Sequence, residues 1–408
     1  MNILLIHQYF LEDNGSGGSR FNEMTGIWTK QGHQVTVLAG TMHYAGCEVN
    51  PEYKGKFVVL KKQGAIPVWR CHVSESYNAN FTGRMWGYFS FVFSSLYAGL
   101  FKVKGKSDVI VVTSPPLFVG ITAYLLSKIK RIPFVFEVRD LWPESAVDTG
   151  VLKSRILIKT AYWFEKFIYG KAALINVLTP AFKEKLIKEK QVPEKKIIFI
   201  PNAADFSLSD ELLQNFDREQ FRKEQGLENK FVITYVGAHG VANHLQQIIE
   251  TAKLLEDTNV QFLLIGQGME KQRLMESARN KNCKNVSFID AMPRPEVFKY
   301  IIASEMGASV LKKVDTFKTI YSNKTFDYMS CKKPILMAID GVSRELLENA
   351  DAGIFVEPEN PEDFAVKIRF YMANPELLKK QGMNGYEYAK KYFDRNVLAK
   401  QYTTEIQK

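Results

Sequence analysis

The chain contains 408 residues, of which 46% are hydrophobic and 24% are charged. This length predicts two or three domains, and this composition is typical of globular proteins, so it excludes a largely disordered, collagen-like or coiled-coil chain. The net charge of +10 is unevenly spread, because residues 1–202 carry 26 Lys and Arg against 15 Asp and Glu, whereas residues 203–408 carry 28 against 29.

The basic first half indicates an anionic partner. A phosphate-bearing substrate, a membrane surface and nucleic acid all fit this charge, and a solvated lysine-rich surface is the alternative. The chain starts with a short apolar run, Met1–His7, which lacks the basic residues of a signal peptide. We therefore interpret this run as a buried strand and expect the protein to stay in the cytoplasm.

Apolar runs of strand length alternate with amphipathic helical stretches, which is the pattern of βαβ units around parallel sheets. A polar stretch after Pro201 and Asn202 divides two series of such runs. The sequence therefore predicts two Rossmann-like domains, at residues 1–202 and 203–385, which face each other across a cleft, and a last helix at 386–408 that packs back on the first domain. The predicted strands are residues 3–7, 34–39, 108–113, 133–138, 174–178, 197–200, 231–236, 261–265, 286–289, 307–310, 334–338 and 353–356.

Two stretches of the first domain depart from this alternation. Residues 41–86 read as a long irregular insertion, which is more often functional than idle. Residues 88–101 form an aromatic run that three lysines follow, and the run is too short and too rich in serine to span a membrane. A helix lying in a membrane interface remains possible, but a helix buried in the first domain is favoured because aromatic residues fall on all of its faces.

Glycine-rich turns follow the first predicted strand of each domain. Glycines let backbone N–H groups approach an anion, and the start of the next helix adds partial positive charge. We therefore predict that Gly17 and Gly18 lie against negative charge, with a flexible surface loop as the alternative. The turn at 236–243 is predicted to hold a diphosphate, with His239 and Asn243 as side-chain donors, although a lone histidine is often structural.

Lys324 and Asp327 are placed one turn apart on the same face of a predicted helix. Lys324 is suited to neutralise a phosphate and Asp327 to accept hydrogen bonds from a ribose diol, a combination that predicts a nucleotide-sugar site. The alternative is an exposed ion pair between these two side chains. The other substrate contacts predicted for this domain are Gly266, Met292, Ser322 and Asn323.

Together these motifs resemble a known family. The two-domain pattern, the glycine-rich turns, Ile200-Pro201-Asn202 and residues 324–334 are similar to GT-B glycosyltransferases of family 4. Residues 136–145 resemble its WbuB-like branch, whose members are assigned to N-acetyl-L-fucosamine transfer in bacterial surface polysaccharide synthesis. The resemblance implies a retaining transferase that binds a UDP-sugar on the second domain and the acceptor on the first. It also implies that no metal is needed, because helix dipoles and basic side chains stabilise the departing diphosphate.

The sequence departs from the family pattern at several places. Asp327 matches the second acid of the family's Glu-x7-Glu signature, which binds the ribose, but Thr319 holds the place of the first acid. The Arg and Lys usual in the first turn of the second domain are absent, as is the His usual after the strand at residues 108–113. We therefore assign the polar contacts near the reacting centre to Arg139 and Asp140, for which a structural charge pair is the alternative. Lys324 completes the predicted catalytic set and carries more of the phosphate charge.

The sequence thus predicts a metal-independent glycosyltransferase, without cofactor, in surface polysaccharide synthesis. It would transfer a hexose or N-acetylhexosamine from a UDP-sugar to a lipid-linked glycan, in the cytoplasm and peripherally on the inner face of the plasma membrane. A sugar-nucleotide 2-epimerase and a non-catalytic GT-B scaffold are the alternatives. Nucleic acid is not an expected partner, because the basic residues form no recognised reader motif. The four cysteines form no Cys-x-x-Cys pair, so neither a zinc site nor a redox pair is expected.

Overall fold

The computed structural model describes residues 1–12, 20–42, 50–78, 81–148, 150 and 152–408. Gly17 and Gly18, which the sequence assigns to anion binding, lie outside the described residues. The chain divides into two compact units, of which the first comprises Met1–Pro201 with Asn396–Lys408 and the second Asn202–Arg395. Each is an α/β unit built on a sheet whose strands are mostly or entirely parallel, so the predicted pair of Rossmann-like units is confirmed.

The first unit is built, in its described residues, on an eight-stranded sheet of order β3-β4-β2-β1-β5-β6-β7-β8. All pairings are parallel except that of the edge strand β3 with β4. The strands are β1 (Asn2–Ile6), β2 (Gln34–Gly40), β3 (Val58–Gln63), β4 (Ile66–Cys71), β5 (Val109–Ser114), β6 (Phe134–Val138), β7 (Leu174–Val177) and β8 (Ile197–Phe199). The helices are α1 (Arg20–Lys30), α2 (Phe81–Tyr97), α3 (Val119–Lys130), α4 (Glu144–Asp148), α5 (Arg155–Lys171) and α6 (Pro180–Lys188).

The insertion at residues 41–86 is more regular than the sequence predicts. It contains the antiparallel hairpin β3–β4, which extends the sheet beyond β2, and the start of α2. The hairpin was missed because β3 is an edge strand whose residues are partly or fully exposed, and such a strand lacks the continuous apolar run of a buried one.

The second unit is built, in its described residues, on a six-stranded parallel sheet of order β11-β10-β9-β12-β13-β14. Its strands are β9 (Phe231–Val236), β10 (Val260–Ile265), β11 (Val286–Ile289), β12 (Met306–Val310), β13 (Ile335–Ala338) and β14 (Gly353–Phe355). Its helices are α7 (Phe206–Asn215), α8 (Arg218–Glu224), α9 (Gln246–Leu254), α10 (Lys271–Asn280), α11 (Arg294–Ala303), α12 (Asn323–Ser330), α13 (Val342–Asn349), α14 (Pro361–Met372) and α15 (Pro375–Tyr392).

The last helix, α16 (Arg395–Gln407), belongs to the first unit from Asn396 onward. The indole N–H of Trp28 in α1 donates to the carbonyl of Ala399 (2.9 Å), and its ring packs against Tyr402, with centroids 5.5 Å apart. These buried contacts join α16 to α1. Residues 386–395 remain in the second unit.

Candidate functional site

The carboxyl ends of β9 and β10 are held together by glycine turns. Gly237, Gly266 and Gly268 all have positive φ angles, of 148°, 152° and 158°. A Cβ atom on Gly266 would overlap the carbonyl oxygen of Gly237, and one on Gly268 would overlap the backbone of His239. Only glycine fits at these close approaches. Ligands of Rossmann-like sheets bind at these strand ends, so the turns mark a candidate site.

Helix α12 begins beside the Gly237 turn. The ammonium of Lys324 donates to the hydroxyl of Ser322 (3.2 Å) and lies 5.0 Å from the ring centroid of Tyr235. A Cβ atom on Gly237 would lie 3.3 Å from Cε of Lys324. Three predicted features, the turn, Ser322 and Lys324, are therefore neighbours. Asn323 is exposed at the start of the same helix.

Tyr328 fixes α12 on the sheet. Its buried hydroxyl accepts a hydrogen bond from the N–H of Val236 (3.1 Å) and lies 3.0 and 3.1 Å from the carbonyl oxygens of Thr234 and Ala308, one of which accepts its proton. These contacts tie the helix to β9 and β12. Because Lys324 lies one turn earlier on the same helix, the position of its side chain is set by this anchor.

The ammonium of Lys324 lies in a poorly solvated position. Burial lowers its pKa to about 8, because desolvation disfavours the charged form, and the nearby carboxylate of Asp327 only partly opposes this effect. Among the described residues, no carboxylate forms an ion pair with this ammonium. A basic group with a perturbed pKa beside glycine turns is suited to bind an anion, which would restore its charged form.

Asp327 is paired with Arg294, a residue that the motifs of the sequence do not indicate. Its Oδ1 accepts a hydrogen bond from Nη2 of Arg294, the first residue of α11, over 2.7 Å. The guanidinium of Arg294 also lies 5.1 Å from the ring centroid of Phe298. The ion pair between Lys324 and Asp327 considered above is therefore not formed. The signal for Arg294 was its position at a helix start just after a strand end, but its partner lies 33 residues away along the chain.

The ring of His239 is fully buried, and in the described part of the chain neither ring nitrogen has a hydrogen-bond partner. Burial, with the charge of Lys271 adding to it, lowers its pKa to about 4, so the imidazole is neutral at pH 7. The backbone of His239 makes the visible contacts, since its N–H donates to Gln267 and its carbonyl accepts from Glu270, both over 2.9 Å. His239 thus joins the two turns through its backbone.

Asn243 and Met292 are the remaining predicted contacts of the second unit, and Lys271 is a residue at the same strand ends that was not predicted. Asn243 ends a single 3-10 turn and donates its N–H to the carbonyl of Gly240 (3.0 Å). Met292 is partly buried and packs against the apolar core. Lys271 donates to the carbonyls of Gly266 (2.9 Å) and Ile289 (3.2 Å) and pairs with Asp290 (2.6 Å), so it ties the ends of β10 and β11 together.

Arg139 and Asp140 follow strand β6 of the first unit, and both are partly buried. The Oδ2 atom of Asp140 accepts a hydrogen bond from the hydroxyl of Ser145 (2.7 Å). Burial raises the pKa of Asp140, and the hydrogen bond from Ser145 opposes this rise. The short helix α4, in which Ser145 lies, therefore orients this carboxyl group.

A buried ion pair involves strand β6 itself, at Glu137, two residues before Arg139. Nε of Arg20 donates to Oε1 of Glu137 (3.0 Å), and both side chains are buried. Arg20 also donates to the carbonyls of Ile200 and Pro201, and Asn176 donates to Oε2 of Glu137 (2.9 Å). This network joins the start of α1 to β6, β7 and the segment after β8. In the described residues, no group of three or more His, Cys, Asp or Glu side chains is arranged to hold a metal ion.

Two family models match successive parts of the chain. Residues 15–203 match the glycosyl transferase 4-like domain, and residues 217–388 match glycosyl transferases group 1. Among curated proteins, the chain is 24% identical over 403 residues to glycosyl transferase WcaI of Escherichia coli strain K12, which is assigned provisionally to colanic acid biosynthesis, and the alignment covers 95% of each chain.

Solved structures share the fold across the whole chain. HepE of Anabaena, in complex with UDP, matches with a TM-score of 0.72 at 16% identity and covers 100% of both chains. WaaG, a glycosyltransferase involved in lipopolysaccharide biosynthesis, also matches with a TM-score of 0.72, at 17% identity, and covers 98% of both chains.

Proposed function

Because this chain is a GT-B glycosyltransferase of family 4, we propose that it transfers a sugar from a UDP-sugar to a lipid-linked glycan in surface polysaccharide synthesis. Three likenesses support the proposal. WcaI, which resembles the chain along nearly all of its length, is assigned provisionally to colanic acid biosynthesis. HepE binds UDP in the same fold, and WaaG acts in lipopolysaccharide biosynthesis.

The observation that carries the proposal is the position of Lys324. Its ammonium is partly buried, lies against the Gly237 turn, and forms no ion pair with a carboxylate in the described residues. A UDP diphosphate bound there would gain a charge-assisted hydrogen bond in a weakly solvated position. The same charge stabilises the diphosphate as it departs, which is when its negative charge develops.

Asp327 is proposed to bind the ribose. Its Oδ1 is held by Arg294, and this contact fixes the carboxylate in one orientation. A ribose hydroxyl can then donate a hydrogen bond to a carboxylate that is already in place, and such preorganisation favours binding. Gly266, Ser322, Asn323, Met292, His239 and Asn243 remain proposed contacts of the same donor, and the UDP complex described in the Discussion tests them.

The proposed transfer proceeds with retention at the anomeric carbon. A hydroxyl oxygen of the acceptor forms the new bond on the face from which the diphosphate leaves, and a phosphate oxygen takes the hydroxyl proton. No nucleophile from the protein is needed for this step. We propose that Arg139 and Asp140 position the acceptor. The hydroxyl of Ser145 orients the carboxyl group of Asp140 for this role.

The transferred sugar is proposed to be a hexose or an N-acetylhexosamine, with N-acetyl-L-fucosamine suggested by residues 136–145. We also propose that the protein works without a metal ion, in the cytoplasm at the inner face of the plasma membrane, where a lipid-linked acceptor would be available. If so, UDP release in the presence of acceptor continues after treatment with a chelator. Loss of activity that added magnesium restores would contradict metal independence.

The test is UDP release from a panel of UDP-sugars, with and without a lipid-linked glycan acceptor. The proposal predicts turnover with at least one donor and a glycan product that is one sugar longer. In Lys324→Met we expect UDP affinity to fall about tenfold or more, which corresponds to a lost hydrogen bond to a charged group. Lys318→Met is the matched control, because Lys318 is exposed and pairs with Asp315. No binding of any UDP-sugar, or a donor altered when acceptor is absent, would contradict the proposal.

A further inference from the structure

Helix α2 continues into a π-helical turn, Ala98–Lys102, and together they expose one apolar stripe. The stripe consists of four aromatic side chains with high exposed fractions, Trp86 (56%), Phe93 (57%), Tyr97 (38%) and Phe101 (71%). Their spacing of 7, 4 and 4 residues places them on one side of the helix. The sequence favours a helix buried in the first domain, but only the side opposite the stripe is buried.

The buried side of α2 holds the helix firmly in the first unit. The hydroxyl of Ser95 hydrogen-bonds to that of Thr122 in α3 (3.0 Å), and the hydroxyl of Ser94 donates to the carbonyl of His72 (2.8 Å). Gly99 lies so close to Leu126 of α3 that a Cβ atom would overlap the leucine side chain. The aromatic stripe therefore belongs to a packed helix and is presented to solvent by the fold.

Phe57 widens the stripe, and further apolar side chains are exposed on a helix of the same unit. The exposed ring of Phe57 packs against Tyr97, with centroids 5.5 Å apart. Helix α5, which packs against α3, exposes Ile156 and Trp163. Exposed apolar patches of this kind on a soluble fold mark a surface that contacts a partner.

The charge around the stripe is positive. Residues 76–136 contain seven Lys and Arg but one acidic residue, Asp108, whose Oδ2 accepts a hydrogen bond from the N–H of Asn2 (2.7 Å). On α5 the acidic residue is Glu165, which is buried and paired with Lys190 (2.7 Å). Apart from Asp108, the exposed charged side chains of α2, of the segment after it and of α5 are basic, namely Arg84, Lys102, Lys104, Lys106, Arg155, Lys159, Lys166 and Lys171.

We propose that this surface, the stripe with its flanking lysines, lies in the headgroup region of an anionic lipid bilayer. Aromatic rings favour this region because it is apolar on one side and hydrated on the other, and lysines next to them reach the lipid phosphates. The ammonium of Lys102, 5.7 Å from the ring centroid of Tyr97, combines both features. Pairing with a second copy through the same surface would bring lysines against lysines, so the charge favours the bilayer. In the described residues no helix is both long and apolar enough to cross a membrane.

The inference deepens the proposed lipid-linked acceptor, because it places the first unit against the layer that would carry such a lipid. Its test needs neither donor nor acceptor. The full chain is sedimented with phosphatidylcholine vesicles that contain or lack phosphatidylglycerol, and we expect binding that requires phosphatidylglycerol and weakens as salt is added. Equal sedimentation with both vesicle types, or with neither, would overturn the inference.

The aromatic part is tested with the double variant Phe93→Ser, Phe101→Ser. We expect it to lose about tenfold or more in vesicle affinity, since the rings no longer enter the headgroup region. The matched control is Phe370→Ser, an exposed phenylalanine on α14 of the second unit, which should bind as the unchanged protein does. Unaltered vesicle affinity of the double variant would overturn the inference. If that variant also lost self-association, the occupant of the surface would be a second copy of the chain.

The basic part is tested by charge reversal of three lysines after the stripe, Lys102→Glu, Lys104→Glu and Lys106→Glu together. We expect a loss of about tenfold or more on vesicles that contain phosphatidylglycerol, because each lysine near an anionic surface adds to the affinity. The matched control reverses three exposed lysines of the second unit, Lys223, Lys379 and Lys380. An equal loss in both triple variants would contradict this surface and indicate a dependence on net charge alone.

Two further measurements separate this inference from folding and from the proposed transfer. UDP affinity, measured on each variant, should be unchanged, because the donor site lies in the second unit. Tryptophan fluorescence of the unchanged protein should be quenched by brominated lipids, since Trp86 is exposed in the stripe. Absence of quenching on vesicles that bind the protein would overturn the inference without any variant. UDP binding that fails while vesicle binding persists would instead count against the proposed function alone.

Discussion

At the residue scale, Lys324 is a positive charge held where water is scarce. Burial brings its pKa to about 8 from an ordinary value of 10.5, so near pH 8 a substantial fraction of the side chain is neutral when no anion is bound. In the unfolded chain the pKa of Lys324 returns to its ordinary value, so between about pH 8 and 10.5 the unfolded state binds more protons than the folded state. This group therefore makes the free energy of unfolding rise with pH in that window. The cost of burying the charge is therefore present at neutral pH, where a bound diphosphate would offset it.

This pKa predicts that UDP binding takes up protons. A diphosphate stabilises the charged ammonium and raises its pKa, so at pH 8 binding should be accompanied by uptake of about half a proton. The affinity for UDP should also fall as pH rises through 8, because Lys324 loses its charge in the unbound protein. The measurement is calorimetry of UDP binding in buffers of different ionisation enthalpy. Lys324→Met should bind weakly without this uptake, and equal uptake in both proteins would show that another group titrates.

Arg294 is predicted to act as a positioning residue for Asp327. Arg294→Met should raise the KM for the UDP-sugar about tenfold with a smaller change in kcat, because Asp327 would lose the partner that orients it. Arg294→Lys should recover part of the effect, and Arg273→Met, at an exposed arginine of α10, is the control. A loss of stability with an unchanged KM would show that the pair serves the fold alone.

At the scale of elements, sequence and structure agree best where strands are buried on both faces. Strand β10 is buried at every residue and reads as an almost continuous apolar run, so the strand end that the Gly266 turn follows could be located from the sequence. The hairpin β3–β4 could not, because its edge strand is exposed. Arg294 could not be assigned to Asp327 either, since a pairing between two helices over 33 residues leaves no local pattern.

The network around Arg20 and Glu137 joins several elements of the first unit, so breaking it should destabilise the fold. Glu137→Gln leaves the Arg20 guanidinium without its countercharge in a buried position, and we expect the free energy of unfolding to fall by about 3–5 kcal/mol. The measurement is urea denaturation. Glu348→Gln, which removes an exposed partner of Arg344, is the control and should change it by about 1 kcal/mol or less. A similar small change at Glu137 would show that this pair is more hydrated than its burial indicates.

At the scale of the whole molecule, the two units differ in charge as the sequence alone indicates. The basic half, residues 1–202, corresponds closely to the first unit, and the near-neutral half to the second. The structure adds what composition could not, namely that the basic residues of α2 and α5 accompany exposed aromatic rings. The neighbours of α2, which are α3 and β4, decide which of its faces is buried. The sequence of residues 88–101 does not contain that information.

The central claim is that Lys324 and the Gly237 turn hold the diphosphate of a UDP-sugar. A crystal structure of the UDP complex tests it most directly. The account predicts a diphosphate oxygen about 2.7–2.9 Å from Nζ of Lys324, next to the backbone of Gly237, with the ribose at Asp327. A structure in which the diphosphate binds elsewhere, or in which Lys324 points away from it, would contradict the account.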